Sequence, residues 1–354
     1  MRRSLYMLVV PCAATVALTL PSAAAAKNVT VYPGGPAKWA AKLGKKTGAG
    51  INNFLINKVV IRVGDSVTWS GQGLAGGFHT VDIPALHGSD LPLILPSSTL
   101  VSGVNDFAGN PFWFNGKVPE VGFNPVLFGP SGGNTYNGTS RIDSGLPGTT
   151  KNFTVTFTKK GTFKYYCDVH PGMGGEIVVK NKHAKIPTAA QNARTLSHEE
   201  RNYVKEAKKV LKTKVAAGQV SLGKSGPGGL EIFAMFPSTL TVKAGTTVKF
   251  VMSRHSREVH TASFGPSAYL TALANSIAGG APDPRAVYPS DPPGSITLGP
   301  TTHGNGFANT GLLDHDSATP TIPAVGAIKF TTPGTYNYQC LIHTFMHGKI
   351  VVTP

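Results

Sequence analysis

Short runs of alternating apolar and polar residues, each closed by a glycine turn, recur along this chain. Val59-Val60-Ile61-Arg62-Val63 stops at Gly64-Asp65, and Val67-Thr68-Trp69 then resumes with β-branched and aromatic residues, a strand–turn–strand pattern. Phe153-Thr154-Val155-Thr156-Phe157 has the period of two expected of a half-buried strand. Gly161 and Gly334 punctuate like turns ahead of Phe163-Lys164-Tyr165 and Tyr336-Asn337-Tyr338. One segment breaks the pattern. Ser197-His198-Glu199-Glu200 has the form of a capping box, and Val204, Ala207, Val210 and Leu211 fall on one helical face, so the spacing predicts a helix over 195–217. Residues 85–150 and 265–325 are rich in Gly, Pro and Asn and weakly patterned; loops of that length are functional or disordered. Within them, Ser144-Gly145-Leu146 and Thr310-Gly311-Leu312 are candidates for equivalent strands.

The strand pattern is written twice. Val63-Gly64-Asp65-Ser66-Val67-Thr68-Trp69 returns 181 residues later as Ala244-Gly245-Thr246-Thr247-Val248-Lys249-Phe250, and the same offset carries His79-Thr80 onto His260-Thr261. A second block, 157–179, matches 330–352 at an offset of 173. The copies diverge mainly in the loops between the blocks, as duplication of one fold leaves them. The expected fold class is all-β, with two Greek-key β-sandwich domains joined by a linker containing a short α-helix. The expected division is a leader over 1–26, a first domain over 27–185 with a long loop insert, a helical linker over 186–225, and a second domain over 226–354.

Arg2 and Arg3, a mostly apolar stretch over 5–20 and then Ala24-Ala25-Ala26 follow the order of a secretory signal peptide. Arg2-Arg3 also fits the twin-arginine route, and the surroundings of Cys12 do not fit a lipoprotein site. The apolar run is short for a bilayer span, and no later segment is long and apolar enough to be one. An exported protein is expected: periplasmic, extracellular or held at the cell envelope. The formal charge is +16, with much of the excess over 180–214. No nucleic-acid motif accompanies it, so the basic excess points to an acidic protein partner or an anionic envelope surface rather than nucleic acid. Behind the leader the chain keeps two cysteines, Cys167 and Cys340. A disulfide is the ordinary reading of such a pair in an exported protein, but their neighbourhoods argue against it.

Cys167-Asp168-Val169-His170-Pro171-Gly172-Met173 and Cys340-Leu341-Ile342-His343-Thr344-Phe345-Met346 share the spacing C-x2-H-x2-M, and each follows an upstream histidine, His79 or His260. With 11 His and 6 Met in 354 residues, a given cysteine meets both spacings by chance about five times in ten thousand. Both cysteines meet them. One thiolate, two imidazoles and a thioether form the ligand set of a mononuclear blue-copper (type 1) site, trigonal with a weak axial sulfur. Zinc has little use for the axial methionine. Two copper ions per chain are therefore expected, one held by His79, Cys167, His170 and Met173, the other by His260, Cys340, His343 and Met346.

Tyr338-Gln339-Cys340-Leu341-Ile342-His343-Thr344-Phe345-Met346-His347-Gly348-Lys349-Ile350-Val351-Val352 resembles the copper loop of amicyanin in the plastocyanin/azurin family. Tyr165-Tyr166-Cys167-Asp168-Val169-His170-Pro171-Gly172-Met173-Gly174-Gly175-Glu176-Ile177-Val178-Val179 resembles the same loop. The resemblance covers the strand blocks and copper loops of both halves, not the long inserts or the helix. It implies tandem cupredoxin β-sandwiches, single-electron transfer and a redox partner protein. In that family the loop histidine exposes its ring edge at one end of the sandwich. The resemblance thus implies exposed edges at His170 and His343; Phe345, beside His343, is expected to be at least partly exposed and to shape a docking patch at the second site.

Tandem cupredoxins also resemble copper nitrite reductases and two-domain laccases, which act at a further copper bound by histidines between domains. The His-x-His pairs of the laccase pattern do not occur in this chain. His79-Thr80-Val81-Asp82-Ile83-Pro84 is similar to the nitrite-reductase stretch, Asp82 included, but Pro84 and Tyr166 stand where that family places catalytic-copper histidines. His87, His255, His303, His315 and His347 stay unassigned, and each reads most simply as a surface or loop histidine. A copper-handling protein would show exposed Met- or His-rich tracts, and none is present. An electron carrier is the reading that remains, with a nitrite reductase-like enzyme using a nonstandard catalytic copper, or a copper-handling protein, as alternatives.

Overall fold

A computed structural model describes residues 26–71, 78–146, 151–315 and 322–354. Apart from its last residue, the leader read over 1–26 lies outside the described residues. In the first half one sheet runs Phe54–Leu55, Asn28–Pro33, Ser66–Trp69, Phe153–Phe157, Thr135–Tyr136. The facing sheet runs Ile142–Asp143, Asp82–Ile83, Gly161–Tyr166, Gly174–Lys180, Lys58–Arg62. The second half repeats the scheme. Asn28–Pro33 lies parallel to Ser66–Trp69 as Gln219–Gly226 lies parallel to Thr247–Met252. Lys58–Arg62 lies parallel to Gly174–Lys180 as Thr239–Lys243 lies parallel to His347–Thr353. The fold is all-β: two Greek-key sandwiches of cupredoxin type, the second taking its first strand from the end of the segment read as linker.

Period-two alternation decides what faces inward. Val67, Trp69, Val155 and Phe157 meet Ile61, Phe163, Tyr165, Ile177 and Val179 in the first core, and Val248, Phe250, Ile328, Phe330, Tyr338, Ile350 and Val352 do the same in the second. Tyr165 stands edge-on to Phe54 and Trp69 at 4.8 and 5.1 Å. A Cβ on Gly175 would collide with the Tyr165 ring, and one on Gly348 with that of Tyr338. Glycine at these two positions lets the strand after each loop cross the tyrosine.

The helix is Ala189–Leu211, starting earlier than the spacing predicts. Thr188 caps it: its hydroxyl accepts from Gln191 N at 3.2 Å, and the Gln191 side chain accepts from Thr188 N at 2.8 Å. Thr188-Ala189-Ala190-Gln191 is itself a capping box just after Pro187, and the Ser197 motif lies inside the helix, where Glu199 accepts from Ile56 N at 2.7 Å. Ala207 and Val210 are buried, whereas Leu211 is exposed.

Three features fasten the halves together. Ala49–Ile51, from the first half, adds antiparallel to Leu230–Phe236 at the edge of a second-half sheet. Leu43, Ile51 and Leu55 then share a core with Ala207, Val210, Leu230 and Ile232. The long inserts form another core: Val101, Phe112 and Phe114 pack on Leu270, Leu273 and Phe307, with Trp113 Nε1 donating to Pro289 O at 2.8 Å. His303, unassigned in sequence, sits between Asp106 and Asp291 at 3.2 and 3.3 Å and ties the same inserts. Among the described residues, no helix is long and apolar enough to cross a membrane.

Candidate metal centres

Each C-x2-H-x2-M loop is a closed ring. Met173 N donates to His170 O at 2.9 Å and Cys167 N to Met173 O at 2.9 Å; the equivalents run Met346 to His343 at 2.8 Å and Cys340 to Met346 at 3.1 Å. The ring carries cysteine, histidine and methionine on one turn at the end of Gly161–Tyr166 or Gly334–Gln339. The upstream histidine is pinned to it by its neighbour. Asp168 N donates to Thr80 Oγ1 at 2.8 Å and Leu341 N to Thr261 Oγ1 at 2.9 Å, which gives the repeated His-Thr pair a physical reason. Ser144 and Thr310 brace the next residue: their hydroxyls accept from Val81 N and Ala262 N at 2.8 and 3.0 Å. Residues 144–146 and 310–312 are thus equivalent as loop braces, not as strands.

The donors converge in both halves. His79 Nδ1 and His170 Nδ1 are 3.0 Å apart and lie 3.8 and 3.5 Å from Cys167 Sγ. His260 Nδ1 and His343 Nδ1 are 3.1 Å apart and lie 3.7 and 3.9 Å from Cys340 Sγ. Bonds of about 2.0 Å to nitrogen and 2.3 Å to sulfur put trigonal donors about 3.5 Å apart, so each trio could hold one metal ion. Met173 and Met346 are buried in the same core clusters as their cysteines. Both cysteines are free and buried. Burial opposes the thiolate of Cys167, but His170 and His79 hold its thiol well below the ordinary range; His260 and His343 do the same for Cys340. The thiolate is the form that takes a metal.

The loop histidines do not expose their edges as the resemblance implied. Their side chains are 7% (His170) and 16% (His343) exposed, and both Nε2 atoms face Glu258, each at 3.3 Å. The strand and cores shared between the halves press the two loop-bearing ends together. Asn52, next to Ala49–Ile51, donates through Nδ2 to Glu258 Oε1 at 2.6 Å, and Arg257 Nη1 donates to Asn52 O at 2.7 Å. Burial opposes ionisation of Glu258, yet His343 and His170 hold its carboxyl well below the usual range. Both histidines, against the lowering effect of burial, are pushed up to about 10 by Glu258 and by their own cysteines. Glu231 behaves oppositely: burial, then the charge of Glu258, push its carboxyl well above the ordinary range. Sequence reasoning missed Glu258. Its signal was present, since at the 181-residue offset it answers to Gly77, an acidic residue beside a ligand in one copy only.

Among the described residues, a third cluster of potential ligands is Asp82, Asp143 and Asp168, all buried. Arg141 pairs with Asp82. Burial, and then Asp168, push the Asp82 carboxyl up against the lowering by Arg141. Tyr166 lies opposite Asp82 across the strands, and the Pro84 carbonyl accepts from Tyr136. Pro84 and Tyr166 thus play structural parts beside the acidic cluster.

No protein-family model matches the chain. A curated plastocyanin from Daucus carota is 53% identical over 36 residues, which is 10% of this chain and 37% of that protein; the chain thus spans about a third of the relative's length. Among solved structures, a mutant plastocyanin of fern is similar at 20% identity and a TM-score of 0.21, over 38% of this chain and 99% of that one. The Cu(I) form of an amicyanin mutant is similar at 18% identity and a TM-score of 0.22, over 41% of this chain and 89% of that one. The strand order described above defines the fold class: tandem β-sandwiches of cupredoxin type.

Proposed function

We propose that this chain is an exported blue-copper protein that transfers single electrons through two type 1 sites. His79, Cys167, His170 and Met173 hold one copper, and His260, Cys340, His343 and Met346 hold the other. The domains span 27–185 and 226–354, joined by 186–225, with Gln219–Gly226 contributing the first strand of the second sandwich. The observation that carries the reading is the convergence of the same donor trio, in the same order, at the same place in both repeats. A copper ion held by such donors supplies one-electron chemistry between Cu(I) and Cu(II). The residues around it do the rest. The closed loops and the Thr80 and Thr261 pins fix the donors so that little moves when charge changes, and the buried surroundings keep water from the thiolate.

The partner is a redox protein with an acidic surface. The formal charge of +16 supports this, as does a cleft of ≈ 380 Å³ beside the first loop, lined by Pro171, Arg254, His255, Arg257 and His315. At the second site Phe345 is 66% exposed and rests on Phe233 and His343 at ring separations of 5.9 and 6.0 Å. A compact apolar rim over a half-buried ligand suits brief redox docking. Phe345→Glu is expected to slow exchange with a redox partner about tenfold while leaving the visible copper spectrum unchanged. Stopped-flow mixing reads the rate, and an unchanged rate would move the entry point elsewhere. Turnover of nitrite or dioxygen by the copper-loaded protein would replace the carrier reading with the enzyme.

A further inference from the structure

The two donor sets meet at one residue. Glu258 lies two positions before His260, in the second half, yet its Oε1 faces His170 Nε2 and its Oε2 faces His343 Nε2. In each ring the other nitrogen, Nδ1, faces the cysteine sulfur and the upstream histidine. The route between the donor sets is therefore imidazole, carboxylate, imidazole, with a 3.3 Å gap between nitrogen and oxygen at each end. The carboxylate is buried, and Asn52 fixes its first oxygen. Asn52 is itself held by its N–H to Gly229 O at 2.7 Å and by Arg257 on its carbonyl.

We propose that Glu258 is a positioning residue that couples the two centres, making the chain a two-centre relay rather than a pair of separate carriers. The inference rests on the two-site reading above. Glu258 accepts both Nε2–H bonds, fixes both rings, and gives one electron a path between the sandwiches. In that step one site loses one electron and the other gains it. Both N–H protons stay on their rings, and no outside oxidant or reductant takes part. Entry is at the second site, where the His343 side chain is the more exposed of the two (16% against 7%) and lies beside the exposed Phe345, and the first site, with His170 more enclosed, receives. The same negative charge favours the more positive, oxidised state at both centres.

The test uses the full-length, copper-loaded protein. Glu258→Gln keeps the size but removes the charge, and an amide has one acceptor oxygen where two are needed. In a Cys340→Ser background the potential of the first site should rise, although all its donors lie in the other half. In a Cys167→Ser background the potential of the second should rise too. In the two-copper protein, redistribution of an electron after pulsed one-electron reduction should slow about tenfold, the scale of coupling between linked sites. A first-site potential that does not move, with its visible band intact, overturns the relay alone. Absence of the two thiolate-to-copper bands from the unmodified protein overturns the two-site reading and the relay with it. The unmodified protein gives a second check that needs no variant. In its reduced, diamagnetic form, nitrogen-15 histidine spectra should show slowly exchanging Nε2–H protons on both His170 and His343, and fast exchange at His170 overturns the bridge.

Discussion

Cys167→Ser is expected to remove one copper and about half of the thiolate-to-copper visible absorption, and to leave the centre at Cys340 loaded. Cys340→Ser does the converse. The reason is that the candidate donors of each centre belong to one sandwich, three on a loop closed by its own hydrogen bonds and the upstream histidine pinned to that loop through Thr80 or Thr261. Serine keeps the loop but withdraws the thiolate, whose charge-transfer band gives such a site its colour. The Glu258 bridge does not contradict this independence. It connects the outer nitrogens of rings whose inner nitrogens are positioned locally, so it acts on potentials and rates more than on metal occupancy. Absorption and metal analysis on both variants check the result, and bleaching of both centres by one folded variant would show that the sites assemble cooperatively.

Phe114→Ala is expected to cost about 3–5 kcal/mol, the usual loss for a fully buried phenylalanine. Phe114 stacks on Phe112 at 5.1 Å with nearly parallel planes and meets Tyr288 at 5.7 Å. Its ring sits where the insert of one repeat packs on the insert of the other, so the vacated space opens at the junction of the halves rather than inside either sandwich. Denaturant titration of the copper-loaded protein should show the midpoint falling, with the sandwiches unfolding in separate steps once the junction is weakened. A change within about 0.5 kcal/mol, the range of surface substitutions, would mean that the inserts contribute little to holding the halves together.

The parts of this molecule that were legible in sequence are those set by local chemistry. Val67-Thr68-Trp69 and Phe153-Thr154-Val155-Thr156-Phe157 announce half-buried strands because side chains alternate across a sheet. The two C-x2-H-x2-M loops announce candidate donors because cysteine, histidine and methionine lie on one short turn. The inserts were opaque for the opposite reason. Phe112, Phe114 and Phe307 find their partners across nearly two hundred residues of chain, and no periodicity within either insert encodes that pairing. The start of the helix was misplaced because two capping boxes lie nine residues apart, and the earlier one, Thr188 with Gln191, is the one whose two hydrogen bonds are made. Glu258 was hidden because its role comes from the docking of two copies, whereas the family resemblance concerns a single sandwich with an open histidine edge. Ala49–Ile51, which crosses to the other sheet and carries Asn52 to Glu258, has no signature beyond three residues of ordinary strand.

Metal analysis combined with electron paramagnetic resonance on the purified, oxidised protein tests the central claim most directly. Two coppers per chain are expected, both with the narrow hyperfine splitting of a thiolate-bound type 1 centre and no further copper signal. A single copper, or a third with a wide-splitting signal and nitrite turnover, would contradict it.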